Sequence, residues 1–386
     1  MSIPVAMLVL NNFTHDARVH KEAQALAEAG YAVTVIALWQ PGLAEEETGA
    51  GYRVRRLRLY SRGWRGRLVA PLVKYLEFIV RVQRFASLEP ARVYHAHDAN
   101  TLLPAWLAAR RTGARLVYDA HELETGRSFA GSRLAGFYQR IWVWPERTLI
   151  RRTDAVITVS EGIADELVRL YGIRRPAVIV NCPEWSPPGR SNRLRDELGI
   201  PGNLKIALYL GSVVPGRGIE PFLEAVQRLP GVAGVVLGDG PLRSGCLRRI
   251  QSGVWKRVYL PGRVPLADLP GYTASADVGV VLIQPICRSY RLALPNKLFE
   301  YLHAGVPVVG SDLPEIARII REYGVGEVVN PDDPASIAEG IARLLEDPVR
   351  YACARDNTTR VAAAYNWKQE SSRLVALYRQ LEGDIG

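Results

Sequence analysis

The stretch KIALYLGSVVPGRGIEPFLEAVQRL, Lys205–Leu229, decides the fold. It opens with a continuous apolar run, passes through a loop holding Gly211, Gly216 and Gly218, and continues as an amphipathic helical pattern. A short apolar run bounded by glycine reads as a buried strand. Strand, glycine loop and helix together are the repeating unit of a parallel sheet covered on both faces. The unit recurs downstream in AGVVLGDG, KRVYLPGRV, ADVGVVLIQ, GVPVVGSD and GEVVN. It also precedes the stretch, in VAMLVL, AVTVIAL, ARVYHAHD, ARLVYDAHE and AVITVSE, with helical patterns between them. Between the two series lies CPEWSPPGRSN, rich in Pro, Gly and Ser, which reads as a linker.

The expected fold class is therefore α/β, with two doubly wound parallel-sheet domains facing across a cleft. The expected division is residues 1–185, a linker at 186–200, residues 201–365, and a C-terminal helix at 366–386 crossing back to the first domain. A chain of 386 residues suits two such domains. The four cysteines lie far apart with no CxxC pair, which points to free thiols in a reducing compartment and to no structural zinc. The N-terminus has no basic leader and no run reaches the length of a membrane span. In open α/β sheets ligands bind beyond the carboxyl ends of the strands, so the chemistry is sought there.

The loop after the first strand, NNFTHDARVHKEA, contains no glycine, which argues against a dinucleotide in the first half. Asp16 and Arg18 open the helix that follows. Either Asp16 is a cap and Arg18 a solvated side chain, or both face a ligand; spacing alone leaves the two readings open. In VYHAHDAN, His95 and His97 are read as pointing to opposite faces of the strand end, so that they diverge and do not form a metal pair. His97, followed by Asp98, is the one expected to face the cleft. His121 and Glu122 repeat the arrangement after the next strand.

In the second half, Gly211, Gly216 and Gly218 let backbone N–H groups approach an anion, and Arg217 supplies a fork that can grip phosphate. Gly238 and Asp239 form another turn after a strand. The stretch LALPNKLFEYLHAG adds Asn296, Lys297 and Glu300 inside an otherwise apolar pattern. With Pro295 in the first turn and Gly305 as the stop, these three share the polar edge of a helix near its N-terminus. They make either a surface ion pair or an anion site, in which Lys297 adds charge to the helix N-terminus and Glu300 accepts ribose hydroxyls.

The order D-x-R-V-x-K-E-A, HAHD, YDAHE, LGS…GRG, LGDGPL, LPGRV and LPNKLFEYLHAGVPVVGSD resembles the retaining glycosyltransferases of family 4, of GT-B fold, over essentially the whole chain. The resemblance implies a nucleoside-diphosphate sugar, of UDP or GDP type, in the C-terminal domain and an acceptor over the N-terminal one. It implies no metal and no cofactor beyond that co-substrate; no Asp-x-Asp is present either. The implied catalytic residues are His97, Arg217 and Lys297. The implied donor side comprises Gly211, Ser212, Arg217, Gly238, Asp239, Val264, Pro295, Asn296, Lys297, Leu298 and Glu300, with Val264 placed where backbone groups read the base. The implied acceptor side comprises Asp16, Arg18, His97, Asp98, His121 and Glu122. The chain departs from the family pattern at Ser212, where a first phosphate-gripping cation is usual, and at Leu292, where the first Glu of E-x7-E falls.

The net charge is +10, and ten of the Arg and Lys residues fall between Tyr52 and Leu88 against one acid, Glu77. The basic region 53–84, and a second basic and aromatic stretch, FYQRIWVWPERTLIRR, suit an anionic membrane surface. The expectation is a cytoplasmic protein attached peripherally to the inner face of the cell membrane, with a lipid-linked or cell-envelope glycan as acceptor. No motif supports a nucleic-acid partner. A nucleotide-sugar epimerase of the same architecture and a non-catalytic nucleotide-sugar binder are the alternative readings.

Overall fold

The computed structural model describes residues 2–65, 69–126, 143–185, 187 and 189–383. The chain divides into two compact units. The first runs from the N-terminus to Val180 and takes back the C-terminal stretch from Glu370; the second is Asn181–Gln369.

The first unit holds an eight-stranded sheet. Its strands are β1 (Pro4–Leu8), β2 (Ala32–Leu38), β3 (Glu46–Gly49), β4 (Tyr52–Leu57), β5 (Val93–His97), β6 (Arg115–Ala120), β7 (Ala155–Thr158) and β8 (Ala177–Val178). The order is β3-β4-β2-β1-β5-β6-β7-β8. All neighbours are parallel except β3 and β4. The antiparallel β3–β4 hairpin is absent from the alternating α/β expectation. Its residues, EETG and YRVRRL, are polar, and cross-strand ion pairs support them: Arg55 with Glu46, and Arg56 with Glu47 at 2.8 Å. The inner strands are apolar on both faces, as AVTVIAL in β2 requires under helices on either side.

The second unit holds a six-stranded, all-parallel sheet of order β11-β10-β9-β12-β13-β14. Here β9 is Lys205–Leu210, β10 Val232–Leu237, β11 Val258–Gly262, β12 Val278–Val281, β13 Val308–Ser311 and β14 Gly326–Val329. Segment 186–200, expected to be linker throughout, contains a helix, Arg193–Leu198, closed by Gly199 at φ 63°. Leu194 is buried, and Arg193 reaches Asp268 at 2.9 Å, so this helix belongs to the second unit.

Each sheet reverses its strand order once. In the first, the chain moves outward from β1 and restarts at β5; in the second, it moves outward from β9 and restarts at β12. Such switch points open a crevice at the carboxyl ends of the two flanking strands. The loops after β1 and β5, and those after β9 and β12, therefore frame the candidate sites.

The helix Trp367–Gly383 returns the chain to the first unit. Buried Glu370 accepts a hydrogen bond from the Val180 backbone at 2.8 Å, and Tyr378 packs edge-on against Tyr31 at 5.4 Å. Four cysteines, Cys182, Cys246, Cys287 and Cys353, are free thiols.

Candidate active site

The residues expected to hold the donor gather in the second unit around the loop after β9 and the turns after β10 and β11. Tyr209, next to last in β9, turns its hydroxyl to the carbonyl of Ser212 at 2.8 Å and so shapes the loop that follows. Gly211 sits at φ 116°, and its N–H donates to Leu237 of β10. A Cβ on Gly238 would stand 1.8 Å from the Gly211 carbonyl oxygen, so the turns after β9 and β10 pack backbone to backbone. The Gly238 N–H in turn donates to Gly262 of β11 at 2.8 Å. Val264 lies just beyond, in the loop after β11, and Asp239 is exposed at the rim.

The helix Asn296–His303 is anchored beside this loop. Tyr301 is fully buried, lies over Gly279 of β12, and donates to the Leu208 carbonyl at 2.7 Å. Leu298 and Phe299 are also buried. Pro295 was expected within the first turn; it is instead the N-cap, with φ −79° and ψ 141°, because the helix begins one residue later. No side chain caps the helix N-terminus, which leaves its first N–H groups and the positive end of its dipole to an anion. The Leu298 side chain thus belongs to the anchor, whereas Asn296 is exposed.

That anchorage carries Lys297 onto the β9 loop. Its Nζ lies 3.8 Å from the centre of the Tyr209 ring. A Cβ on Gly211 would come within 3.4 Å of the same nitrogen. Arg217, from the β9 loop, stacks its guanidinium 4.4 Å from the centre of the Tyr290 ring, on the segment after β12. Two cations from different segments are therefore each seated on an aromatic face. Burial pushes the Lys297 ammonium down to about 7; neighbouring Arg217 acts in the same direction and Glu300 opposes both. Such a group gains much of its charge back when an anion arrives.

The residues expected to meet the acceptor lie in the first unit and form a different kind of cluster. Asp16 is the N-cap of the helix Ala17–Glu28 and accepts from the Val19 backbone. Arg18 is not solvated. It is buried and grips Asp119 of β6 with Nε at 2.8 Å and Nη2 at 3.0 Å, while Nη1 donates to the Ile179 carbonyl at 2.8 Å. This explains why a basic residue opens an otherwise apolar-faced helix: it ties the helix to the centre of the sheet.

The histidines correct the sequence reading. His95 and His97 do not diverge; their rings stack at 4.2 Å with 29° between planes. The side-chain period of a strand is two, so residues i and i+2 share a face. Both are buried, and one ligand atom each from Glu22, His95, His97 and Asp119 lies within 4.8 Å of the others. His97 was expected to face the ligand, but its ring is covered. His121 reaches the surface instead, with a side chain 20% exposed, between Asp119 at 3.0 Å and Asp98 at 3.7 Å. Burial works against the charge on His121, yet Asp98 and Asp119 outweigh it and raise its proton affinity to about 10. Burial likewise opposes ionisation of Asp119, but Arg18 and His121 hold it well below the usual carboxylate range. Asp98 adopts φ 64°, a strained conformation for a non-glycine residue at a strand end. Phe13, in the loop after neighbouring β1, is strained in the same way at φ 56°. Glu122 lies beside His121, partly exposed.

Residues 15–183 match the Glycosyl transferase 4-like domain, and residues 205–347 match the Glycosyl transferases group 1 family. The chain belongs to the family 4 glycosyltransferases. It is 26% identical over 324 residues to alpha-maltose-1-phosphate synthase of Mycolicibacterium smegmatis, an alignment covering 76% of this chain and 80% of that one. It is 24% identical over 339 residues to D-inositol 3-phosphate glycosyltransferase of Thermobispora bispora, covering 82% and 77%. In fold it is similar to sucrose-phosphate synthase of Thermosynechococcus elongatus, with a TM-score of 0.82 at 20% identity over 99% of this chain and 100% of that one. The Anabaena protein HepE in complex with UDP-glucose superposes with a TM-score of 0.76 at 15% identity, covering 98% and 100%. The fold is GT-B, with two parallel-sheet α/β domains.

In this glycosyltransferase, the sequence reading missed Tyr209, Tyr290, Glu22 and Tyr378. The signal for Tyr209 was present: a lone aromatic in an aliphatic strand, two residues before the glycine loop. The basic region 53–84 is also less cationic than its composition. Arg53, Arg55, Arg56, Arg58 and Arg81 are each ion-paired, with Glu89, Glu46, Glu47, Glu45 and Glu77 respectively. What the helix Val69–Leu88 does expose is an apolar stripe: Leu72, Leu76 and Val80, at 47%, 53% and 66%. Next to it, Ile79, Val80 and Leu88 line a shallow pocket with Arg84 and Arg111. Residues 66–68 of this region, and 137–142 of the second basic stretch, lie outside the described residues.

Proposed function

We propose that this chain is a metal-independent, retaining glycosyltransferase that moves a sugar from a UDP- or GDP-sugar to an acceptor hydroxyl. The reading rests on Arg217 and Lys297, two ring-seated cations at the carboxyl end of β9 beside an uncapped helix N-terminus. That arrangement suits a diphosphate, whose charge grows as the sugar departs. The C1–O bond to the diphosphate breaks, and the acceptor oxygen bonds C1 on the same face. The acceptor proton passes to the departing diphosphate oxygen. Glu300 takes the ribose hydroxyls, and the backbone at Val264 reads the base. On the first unit, His121 and Asp98 meet the acceptor and His97 supports them from beneath. The solved complexes of HepE with UDP and UDP-glucose support a nucleoside-diphosphate donor. The relatives reported above are a synthase and a transferase, which favours transfer over epimerisation. Lys297 stands beside Gly211 and Ser212, so the cation missing at Ser212 is supplied from the helix; this favours catalysis over mere binding. Incubation with α-linked UDP- and GDP-sugars in EDTA, followed by NMR of the product's anomeric proton, tests the reading. An α-linked product is expected. A β-linked product, dependence on added metal, or an epimerised donor with no transfer would overturn it.

We further propose that the acceptor is a lipid-linked or cell-envelope glycan, reached by peripheral attachment to the cytoplasmic face of a membrane. Among the described residues no helix is long and apolar enough to cross one. Leu72, Leu76 and Val80 would enter the headgroup boundary while Arg84 and Arg111, beside Val80, meet anionic lipid. The protein should float with vesicles containing anionic lipid, and Leu76→Asp should leave it at the bottom of the gradient. Equal flotation of both would remove this part of the reading.

A further inference from the structure

Behind His121 lies a set of buried polar atoms that the ligand-facing residues do not account for. Both carboxyl oxygens of Glu22 and the Nε2 atoms of His95 and His97 are buried and have no hydrogen-bond partner among the described residues. Arg18 Nε stands 2.9 Å from Glu22 Oε1, but its N–H is directed at Asp119. The other ring nitrogens are engaged. His95 Nδ1 is 2.9 Å from the Tyr378 hydroxyl, and His97 Nδ1 is 3.2 Å from His121 Nε2 and 3.4 Å from Asp119 Oδ2.

One assignment of protons satisfies these contacts together. His121 Nε2 lies closer to Asp119 Oδ2, at 3.0 Å, and Asp119 only accepts, so His97 Nδ1 is assigned as a second donor to that carboxylate, which leaves His97 Nε2 as an acceptor. The Tyr378 hydroxyl is assigned as the donor to His95 Nδ1, which places the His95 proton on Nε2. A group between the two rings must then accept from one and donate to the other. An ionised carboxylate can only accept; a carboxylic acid does both. Charge balance agrees. Arg18 and His121 offset Asp98 and Asp119, and a protonated Glu22 preserves that balance. A divalent ion bound by an ionised Glu22 would leave one uncompensated positive charge in the interior.

We infer that Glu22 is a buried carboxylic acid bridging His95 to His97, and that through this bridge Tyr378 of the C-terminal helix positions the acceptor-side His97. Burial raises the Glu22 carboxyl to about 7, with Arg18 and His121 opposing and Asp119 adding to the rise. One nitrogen or oxygen from each of Glu22, His95, His97 and Asp119 lies within 4.8 Å of the others, which places the carboxyl beside both rings. The chain is then continuous: Tyr378 to His95, His95 to Glu22, Glu22 to His97, and His97 to Asp119, on which His121 also rests. Tyr378, His95 and Glu22 are positioning residues, since none of them touches the surface. The significance of that positioning for turnover rests on the transferase reading above; the bridge itself does not.

The test uses the full chain. Nitrogen NMR of the imidazoles should show opposite tautomers, with the proton on Nε2 in His95 and on Nδ1 in His97. Glu22→Gln keeps one donor and one acceptor and should preserve both tautomers, whereas Glu22→Leu and Tyr378→Phe should each lose the pattern. In transfer assays, Glu22→Leu should lower kcat on the order of 10²-fold by misplacing the site, with donor KM little changed, and Glu22→Gln should restore most of it. The inference fails if Glu22→Gln is as damaging as Glu22→Leu, if the two histidines share one tautomer, or if the chain purifies with one equivalent of zinc or manganese that Glu22→Gln abolishes. If Glu22→Leu does not fold, the tautomers of the wild type and of Glu22→Gln decide alone. A chain with the expected tautomers but no transferase activity would sink the functional reading and leave the bridge standing.

Discussion

Arg217→Ala should lower kcat/KM by about 10²–10³-fold, the usual effect of removing one preorganised donor from a developing anion. The guanidinium touches the rest of the protein through the Tyr290 ring, a contact worth about 0.5–2 kcal/mol, so the variant should fold. Its melting temperature without ligand should stay near that of the wild type, while the rise caused by UDP or GDP should shrink. Arg217→Lys should recover part of the loss, because the ammonium keeps the charge but cannot offer a planar fork to two phosphate oxygens. Unchanged turnover in Arg217→Ala would remove Arg217 from the diphosphate site.

Lys297 gives the second large effect, and it depends on pH. Lys297→Ala should cost a similar factor of about 10²–10³ in kcat/KM, since it removes the other cation. The wild type should also bind nucleotide-sugar less tightly as pH rises above 7. The sign follows from linkage. In the free protein the ammonium loses its proton near 7, whereas a bound diphosphate holds it. Below pH 7 the charge is already present and affinity is flat. Above it each complex must take up a proton, and affinity falls by up to about tenfold per pH unit. An intact nucleotide-sugar is the proper probe, because its diphosphate has no proton to lose in this range. Calorimetry in buffers of different ionisation enthalpy should show the proton uptake directly at pH 8. Lys297→Arg carries a permanent charge and should bind with little pH dependence. A wild-type affinity flat from pH 6 to pH 9 would mean that Lys297 does not meet the diphosphate.

Most of the fold was legible because it rests on local pattern. Val, Ile and Leu runs such as AVTVIAL and VAGVVL must be buried on both faces, and glycines after them mark the loops. What escaped the reading rests on pairing between segments distant in the chain. The β3–β4 hairpin looks like polar loop until Glu46 is set opposite Arg55. The basic region reads as a free cationic surface until Glu45, Glu47 and Glu89 are placed against it. The helix Arg193–Leu198 hides in a Pro- and Gly-rich stretch because its stability comes from Asp268 and Tyr272, some 75 residues away.

The cluster after β9 was legible for the same reason. Gly211, Arg217 and Lys297 each announce themselves within a few residues of a strand end. Their tyrosine seats did not, because an aromatic in a buried strand looks like ordinary packing. On the acceptor side the stacked histidines were misread by a period of one residue. The network beneath them joins residues from the first helix, two strands and the C-terminal helix, and no local pattern shows it. Arg18, read as either solvated or facing a ligand, is instead buried in it, because its partner Asp119 lies 101 residues on.

The most direct test of the central claim is a thermal-shift panel of UDP, GDP and their sugars with and without EDTA. A ligand at 100 times its dissociation constant adds about 2.7 kcal/mol of stability, which such a panel resolves. The account predicts that one nucleoside diphosphate and its sugars raise the melting temperature equally with and without EDTA, and that Arg217→Ala blunts the rise. A shift that vanishes in EDTA, or no shift with any nucleotide, would contradict a metal-free diphosphate site built from Arg217, Lys297 and the helix Asn296–His303.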